Sequence, residues 1–321
     1  MSTIMNCVAV TFAYNFGAGL LRAIGDSLMA LYVLVFASVL NIGLDILFIT
    51  QFRMGVAGTA VATITAQFLS ALLCFLYIFK KCLILIPERR HFKVDKALYM
   101  ELLGQGLSMG GMSSIVSLGT VILQTAINHL GILMIAAQTT ARRIQSFFIM
   151  PLTATAAGVA TFTSQNFGAR KFHRIHEGVR KASYLAIACS MIAMVTLYLL
   201  GPLLTQAISG SDNSVLLTAS TTYLNWNTPF YPILGILFIL RNNLQGLGSK
   251  VTPLISSIIE LVGKILFVIF LVPYMGYFGV IICEPVIGLF MTSQLYYSYR
   301  HHPIIKREIN YEKEGKTNMT I

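Results

Sequence analysis

Charge is what this sequence has least of. Only 11% of its 321 residues are Asp, Glu, Lys or Arg, with 12 acidic against 23 basic, whereas soluble domains carry about 25%. A soluble fold is thereby excluded. Cysteine is also sparse: Cys7, Cys74, Cys82, Cys189 and Cys283 are scattered, mostly in apolar runs, without disulfide or metal-ligand spacing, and read as small core residues. No G-x-x-x-x-G-K-[ST] run occurs, which removes a primary pump built on a P-loop. His, Cys and carboxylates do not cluster as acid, base and nucleophile would, so no enzyme, metal centre or cofactor is expected. His173, His176, His301 and His302 fall in basic segments and are expected to be solvated.

What the chain has is hydrophobicity, 56% of its residues, gathered in runs long enough to cross roughly 30 Å of hydrocarbon. About nine transmembrane helices are expected, over 4–21, 28–49, 55–79, 102–127, 132–162, 182–207, 216–240, 251–272 and 278–299. The chain reads as an all-α, polytopic membrane protein. Residues 1–79 form a first group of three helices, 80–101 a polar linker, 102–299 a second group of six, and 300–321 a polar tail. The +11 net charge is a topology signal, because the basic residues lie between spans. If 80–101 is cytoplasmic, so are Arg22, the 170–181 loop, the Arg241 to Lys250 turn and the C-terminus, while the far side keeps Arg53 and Asp212. No nucleic-acid partner is implied; the partners are membrane lipid and a small molecule.

A repeat organises the pattern. Leu21-Arg22-Ala23-Ile24-Gly25-Asp26-Ser27 and Leu244-Gln245-Gly246-Leu247-Gly248-Ser249-Lys250 each open an apolar run, about 222 residues apart, with Gly25 on Gly248. Each run ends in a short turn, Met54-Gly55-Val56-Ala57-Gly58 or Met275-Gly276-Tyr277-Phe278-Gly279, and a second long run follows. Two helical hairpins of one layout sit in two halves of the chain, as in secondary transporters that rock one repeat against another.

Polar groups inside spans are costly and need a partner or a purpose. Asn41 and Asp45, four apart, share a helix face. Counting back from the turn places Asn41 roughly 13 Å deep, Thr63 across the hairpin about 12 Å and Asp45 about 7 Å. An amide oxygen, a carboxylate and a hydroxyl so grouped suit a hard cation such as Na⁺, and a desolvated carboxylate can instead exchange a proton. Glu260 and Lys264, also four apart, are ordered for a helical ion pair. Lys264 falls at the repeat position of Asn41, which argues against a duplicate cation site. Glu284, before Pro285, pairs with Arg142 or Arg143, or those arginines snorkel to the interface. Gln124 and the aromatic–amide run holding Asn225, Trp226 and Asn227 are candidates for a cavity taking a flat, cationic or amphipathic guest; an interfacial aromatic belt with packing amides is the alternative.

Leu20-Leu21-Arg22-Ala23-Ile24-Gly25-Asp26, Leu40-Asn41-Ile42-Gly43-Leu44-Asp45 and Gly55 to Thr63 together resemble the fourth to sixth helices of the multidrug and toxic compound extrusion (MATE) transporters. Ser164-Gln165-Asn166-Phe167-Gly168-Ala169 and Leu240 to Gly248 resemble that family's turns after its eighth and tenth helices. The likeness runs through the chain up to the tail. It implies twelve helices in two six-helix lobes, so that the second lobe is complete here and the first is reduced to its last three helices. It further implies that Asn41, Asp45 and Thr63 match a coupling-cation site whose remaining carboxylate lies on a first helix that this sequence does not contain. The expected function is antiport: efflux of small cationic or amphipathic compounds across the plasma membrane, driven by Na⁺ or H⁺ entry. The alternatives are flippase-like export of a lipid-linked substrate and an inactive fragment. A truncated reading frame, or helices supplied by a separate chain, is expected to account for the short first lobe.

Overall fold

The computed structural model describes residues 8–88 and 95–306, and within them every regular element is a helix. The chain divides into two compact units, Met1–Asp95 and Lys96–Ile321. In the first, α1 (Val8–Ala23), α2 (Ser27–Thr50) and α3 (Gly55–Lys81) pack together, with α1 and α3 running parallel. Water-driven burial cannot hold helices together in lipid, so close approach and polar contacts must. Gly17 of α1 provides the approach: a Cβ there would come within 2.9 Å of Cys74 Cβ on α3. Thr11 provides the polar contact, its hydroxyl donating to Gln67 Oε1 at 2.6 Å. Leu21, Val33, Cys74 and Ile78 close the core of this unit.

The second unit contains α4 (Lys96–His129), α5 (Ile132–Gly168), α6 (Phe172–Ser209), α7 (Ser214–Asn227), α8 (Tyr231–Gly246), α9 (Val251–Leu266), α10 (Val272–Met275) and α11 (Tyr277–His301). Small residues again set the spacing. A Cβ on Gly246 would lie 2.8 Å from the Ala160 carbonyl, and one on Gly263 would lie 2.7 Å from Ile287 Cγ1. A single-turn 3-10 segment, Thr228–Phe230, separates α7 from α8, where Pro229 and Pro232 withhold two backbone donors. A π-turn, Phe267–Leu271, joins α9 to α10 ahead of Pro273.

The repeat is visible in backbone detail. Gly25 and Gly248 both take positive φ, 91° and 82°, which glycine does at no steric cost. At the first, Ile24 N–H bonds to Leu20, Gly25 to Arg22 and Asp26 to Leu21; at the second, Leu247 bonds to Asn243, Gly248 to Gln245 and Ser249 to Leu244. Each pair of bonds differs by 223 in number. The two helix ends are the same glycine-capped turn, with a six-to-one bond closing the last carbonyls. Gly55 and Gly276, at the turns between the paired apolar runs, also share positive φ, 54° and 56°.

Several helices outrun their apolar stretches. α4 starts at Lys96 and not near residue 102, and α5 continues to Gly168. Ser164 to Gly168 and His173 to Lys181 are therefore helical and not loop, and Arg241 lies within α8 and not in a turn. Hydropathy measures the thickness of the apolar layer, whereas Lys, Glu, Gln and Arg extend a helix past it at little cost. Among the described residues seven helices are long and apolar enough to cross a membrane. The sixteen-residue α1 and the interrupted α7–α8 are outside that set, so the expected nine is not reached; residues 4–7 of the first run, with Cys7, lie outside the described residues.

Candidate functional site

Two sites deserve description, one in each unit. In the first, the α2–α3 hairpin sets Asn41 against Thr63: the amide Nδ2 donates to the hydroxyl at 3.4 Å, and that hydroxyl donates in turn to the Thr59 carbonyl at 2.9 Å. One turn along α2, Asp45 carries a buried oxygen, Oδ1, with no hydrogen-bond partner among the described residues. An unsatisfied carboxylate oxygen is costly in a low dielectric. Asn41 commits its donor to Thr63, so its carbonyl oxygen remains the natural ligand atom. Asp26 is spent elsewhere, capping α2 through Met29 N–H at 3.1 Å and accepting from Tyr77 at 2.9 Å.

The second unit encloses a cavity of about 590 Å³, within the range of small-molecule sites. Its wall is largely apolar, with Ile149, Leu234, Leu237, Phe238 and Met291 among its residues, yet Arg142, Arg241, Lys264, Glu260 and Glu284 also line it. Arg142 Nη2 lies 2.7 Å from Glu284 Oε1, and Lys264 Nζ donates to Glu260 Oε1 at 2.8 Å. The second pair is the drier, with side chains 5% and 15% exposed against 33% and 27%. Tyr223 Oη lies 2.9 Å from Glu284 Oε2 and 3.2 Å from Gln145 Oε1; its single proton goes to the charged, nearer acceptor. Arg143, one residue on, points to the exposed face, so of the two arginines only Arg142 meets Glu284.

Arg241 is the residue that sequence reasoning missed. Its Nε and Nη2 are buried without a hydrogen-bond partner among the described residues, as is Nε of Arg142. A buried charge without a partner is costly. The available signal was its position five residues before Gly246, inside a helix and not at its end.

Of the four cavity candidates, Asn227 lines this cavity and Gln124, Asn225 and Trp226 do not. Gln124 donates to Asn128 within α4 at 3.0 Å. The Asn225 carbonyl accepts from Tyr198 at 2.9 Å, and Trp226, 50% exposed, packs edge-on to Phe278. Even Asn227 has a structural task. Pro285 deprives the Ile281 carbonyl of its helical donor, and Asn227 Nδ2 replaces it at 3.1 Å. The histidines divide as well: His173 and His301 are exposed, whereas His176 lies 2.8 Å from the Tyr299 hydroxyl and burial holds His302 below the usual imidazole pKa. Their aromatic and apolar neighbours, and not their basic sequence context, decide this.

Long apolar helices and a duplicated hairpin define an all-α, multi-span membrane protein. The MatE family profile matches residues 109–270, about half of the chain, and the chain belongs to that family. It is 28% identical over 251 residues to the probable multidrug resistance protein YpnP of Bacillus subtilis, a match covering 78% of this chain and 55% of that protein. It is 24% identical over 288 residues to an FAD transporter of Shewanella oneidensis, covering 86% and 62%. The chain thus spans little more than half the length of these relatives. A crystal structure of MATE in the bent conformation shares its fold with a TM-score of 0.84 at 21% identity, covering 97% of this chain and 68% of that one. An outward-facing MATE transporter superposes with a TM-score of 0.81 at 21% identity, covering 94% and 66%.

Proposed function

We propose that this chain acts in cation-coupled efflux of small amphipathic organic compounds across the plasma membrane, with its C-terminus in the cytoplasm. The observation that carries this is the Asp45 oxygen, buried and without a partner one turn from the Asn41–Thr63 contact. A carboxylate in that position is relieved by an entering Na⁺, with the Asn41 carbonyl and Thr63 hydroxyl as further oxygen ligands, or by a proton. Exchange of that cation between the two sides is what couples a gradient to export. Membership of the MatE family and likeness to a probable multidrug resistance protein support the transport reading. The cavity of the second unit, largely apolar with a few charges, supports an amphipathic guest.

The test is dye efflux from vesicles containing the full chain, with Na⁺ and H⁺ gradients imposed separately. Asp45→Asn is expected to reduce gradient-driven efflux about tenfold or more while the protein remains inserted and thermally stable. Unchanged efflux by that variant would reduce Asp45 to a structural residue, and the gradient that drives the unmodified chain identifies the coupling ion.

A further inference from the structure

The second-unit cavity holds three cationic side chains, Arg142, Arg241 and Lys264, against two carboxylates, Glu260 and Glu284. Two ion pairs consume Arg142 with Glu284 and Lys264 with Glu260. One positive charge is left, and it belongs to Arg241. Its Nε and Nη2 meet no acceptor among the described residues, and no carboxylate there lies within ion-pair reach.

A guanidinium keeps its proton even when buried, so Arg241 cannot escape the cost of burial by becoming neutral. Its nearest electrostatic counterpart, Glu260, already accepts from Lys264 at 2.8 Å. Arg142 lines the same cavity, and its Nε is likewise covered and without a partner among the described residues. A planar donor set of this kind matches the oxygens of a carboxylate, sulfonate or phosphate. The rest of the wall is apolar, and the volume of about 590 Å³ exceeds what an inorganic ion needs. We propose that this cavity binds an amphipathic organic anion, its charged oxygens on Arg241 and its apolar body against Leu234, Leu237, Phe238 and Met291. One negative charge on the guest brings the cavity to neutrality. This deepens the efflux reading by naming a substrate class, and that class is opposite in sign to the cationic guest suggested by the aromatic–amide run at 223–231.

An oxyanion can reach this cavity as a soluble compound or as the headgroup of a membrane lipid, and the experiment separates the two. The full chain is placed in phosphatidylcholine nanodiscs, with empty nanodiscs subtracted. Binding is measured calorimetrically for 2-naphthoate and for 2-naphthylmethylamine, which are similar in size and opposite in charge. The naphthoate is expected to bind at least about tenfold more tightly, and Arg241→Gln to lose about tenfold or more of that affinity. Arg241→Lys, which keeps the charge and loses the planar fork, should retain an intermediate affinity, and Arg143→Gln, exposed and off the cavity, all of it. Equal naphthoate affinity in the unmodified chain and Arg241→Gln, or tighter binding of the amine, would overturn the proposal. Should Arg241→Gln fail to fold, the preference of the unmodified chain between the two probes decides. Replacing about a third of the lipid with phosphatidylglycerol distinguishes the sources: lost naphthoate binding identifies a lipid headgroup, and unchanged binding a soluble anion. Both results support an anion site. A chain that binds naphthoate through Arg241 yet moves nothing under any gradient refutes the efflux reading alone. One that exports the amine independently of Arg241 refutes this proposal alone.

Discussion

The two hairpins share their end turns and differ in chemistry, although α2 is one continuous helix and its counterpart is interrupted by the π-turn at Phe267–Leu271. Counting from the paired turns Gly25 and Gly248 sets Lys264 on Asn41, and counting from Gly55 and Gly276 sets Glu284 on Thr63. In the first unit those positions hold a neutral amide and hydroxyl that meet directly at 3.4 Å. In the second they hold opposite charges that do not form an ion pair with each other. Each is drawn to a separate partner, Lys264 to Glu260 and Glu284 to Arg142. The residues left over differ in sign as well: an unpartnered carboxylate oxygen on Asp45, unpartnered guanidinium nitrogens on Arg241. A duplicated layout sets which positions correspond, and the side chains decide the chemistry at each.

The comparison breaks first at Lys264. Removing one member of a buried ion pair strands the other, so Lys264→Ala should destabilise the protein by about 3–5 kcal/mol, read as a fall in thermal unfolding temperature in nanodiscs. Adding Glu260→Gln should recover most of the loss. No recovery would mean that the packing of the lysine stem, which Gly119 meets closely, dominates over its charge. Glu284→Gln should cost less, about 2 kcal/mol, because its pair with Arg142 is more exposed. Next come the repeated turns: Gly25→Ala and Gly248→Ala should each cost about 1 kcal/mol, since both force a Cβ into left-handed backbone. A twofold difference between them would show that the matching hydrogen bonds conceal different surroundings. Thr63→Val should have the smallest effect on stability, about 0.5 kcal/mol, because the contact from Asn41 is long, while lowering cation-coupled efflux in the vesicle assay. A larger stability loss would make Thr63 a packing residue.

The spans and the hairpin repeat were legible because apolar length and glycine position are local properties. Helix ends were not. Lys96 to Glu101 carries a charge at each end and His173 to Lys181 is largely polar, yet both are helical, so the reading from hydropathy stopped where the helix does not. The partner of Glu284 stayed divided between Arg142 and Arg143 because adjacent residues diverge by about 100° around a helix, and a span apolar on all sides does not show which of them faces inward. Arg241 was read as a topology marker, since a basic residue near the end of a span follows the positive-inside pattern whether it faces headgroups or a cavity. Asn227 read as a cavity amide because its acceptor, the carbonyl freed by Pro285, lies on a helix 54 residues away.

The break between α7 and α8 has a mechanical consequence. Above it, α7 is fastened to its neighbours by directional bonds: Ser220 to the Ala137 carbonyl at 3.1 Å, Tyr223 to Glu284 at 2.9 Å and Asn227 to the Ile281 carbonyl at 3.1 Å. Below it, α8 bears Arg241, and the joint between them, Thr228–Phe230, contains Pro229 and is followed by Pro232, so two backbone donors are missing there. Bending there would have to break a second hold as well, because α8 is fastened in turn by Asn243 donating to Thr163 Oγ1 at 2.8 Å. With Arg142 and Glu284 beside α7 and Arg241 on α8, the two holds together fix the distance between the cavity's paired and unpaired charges.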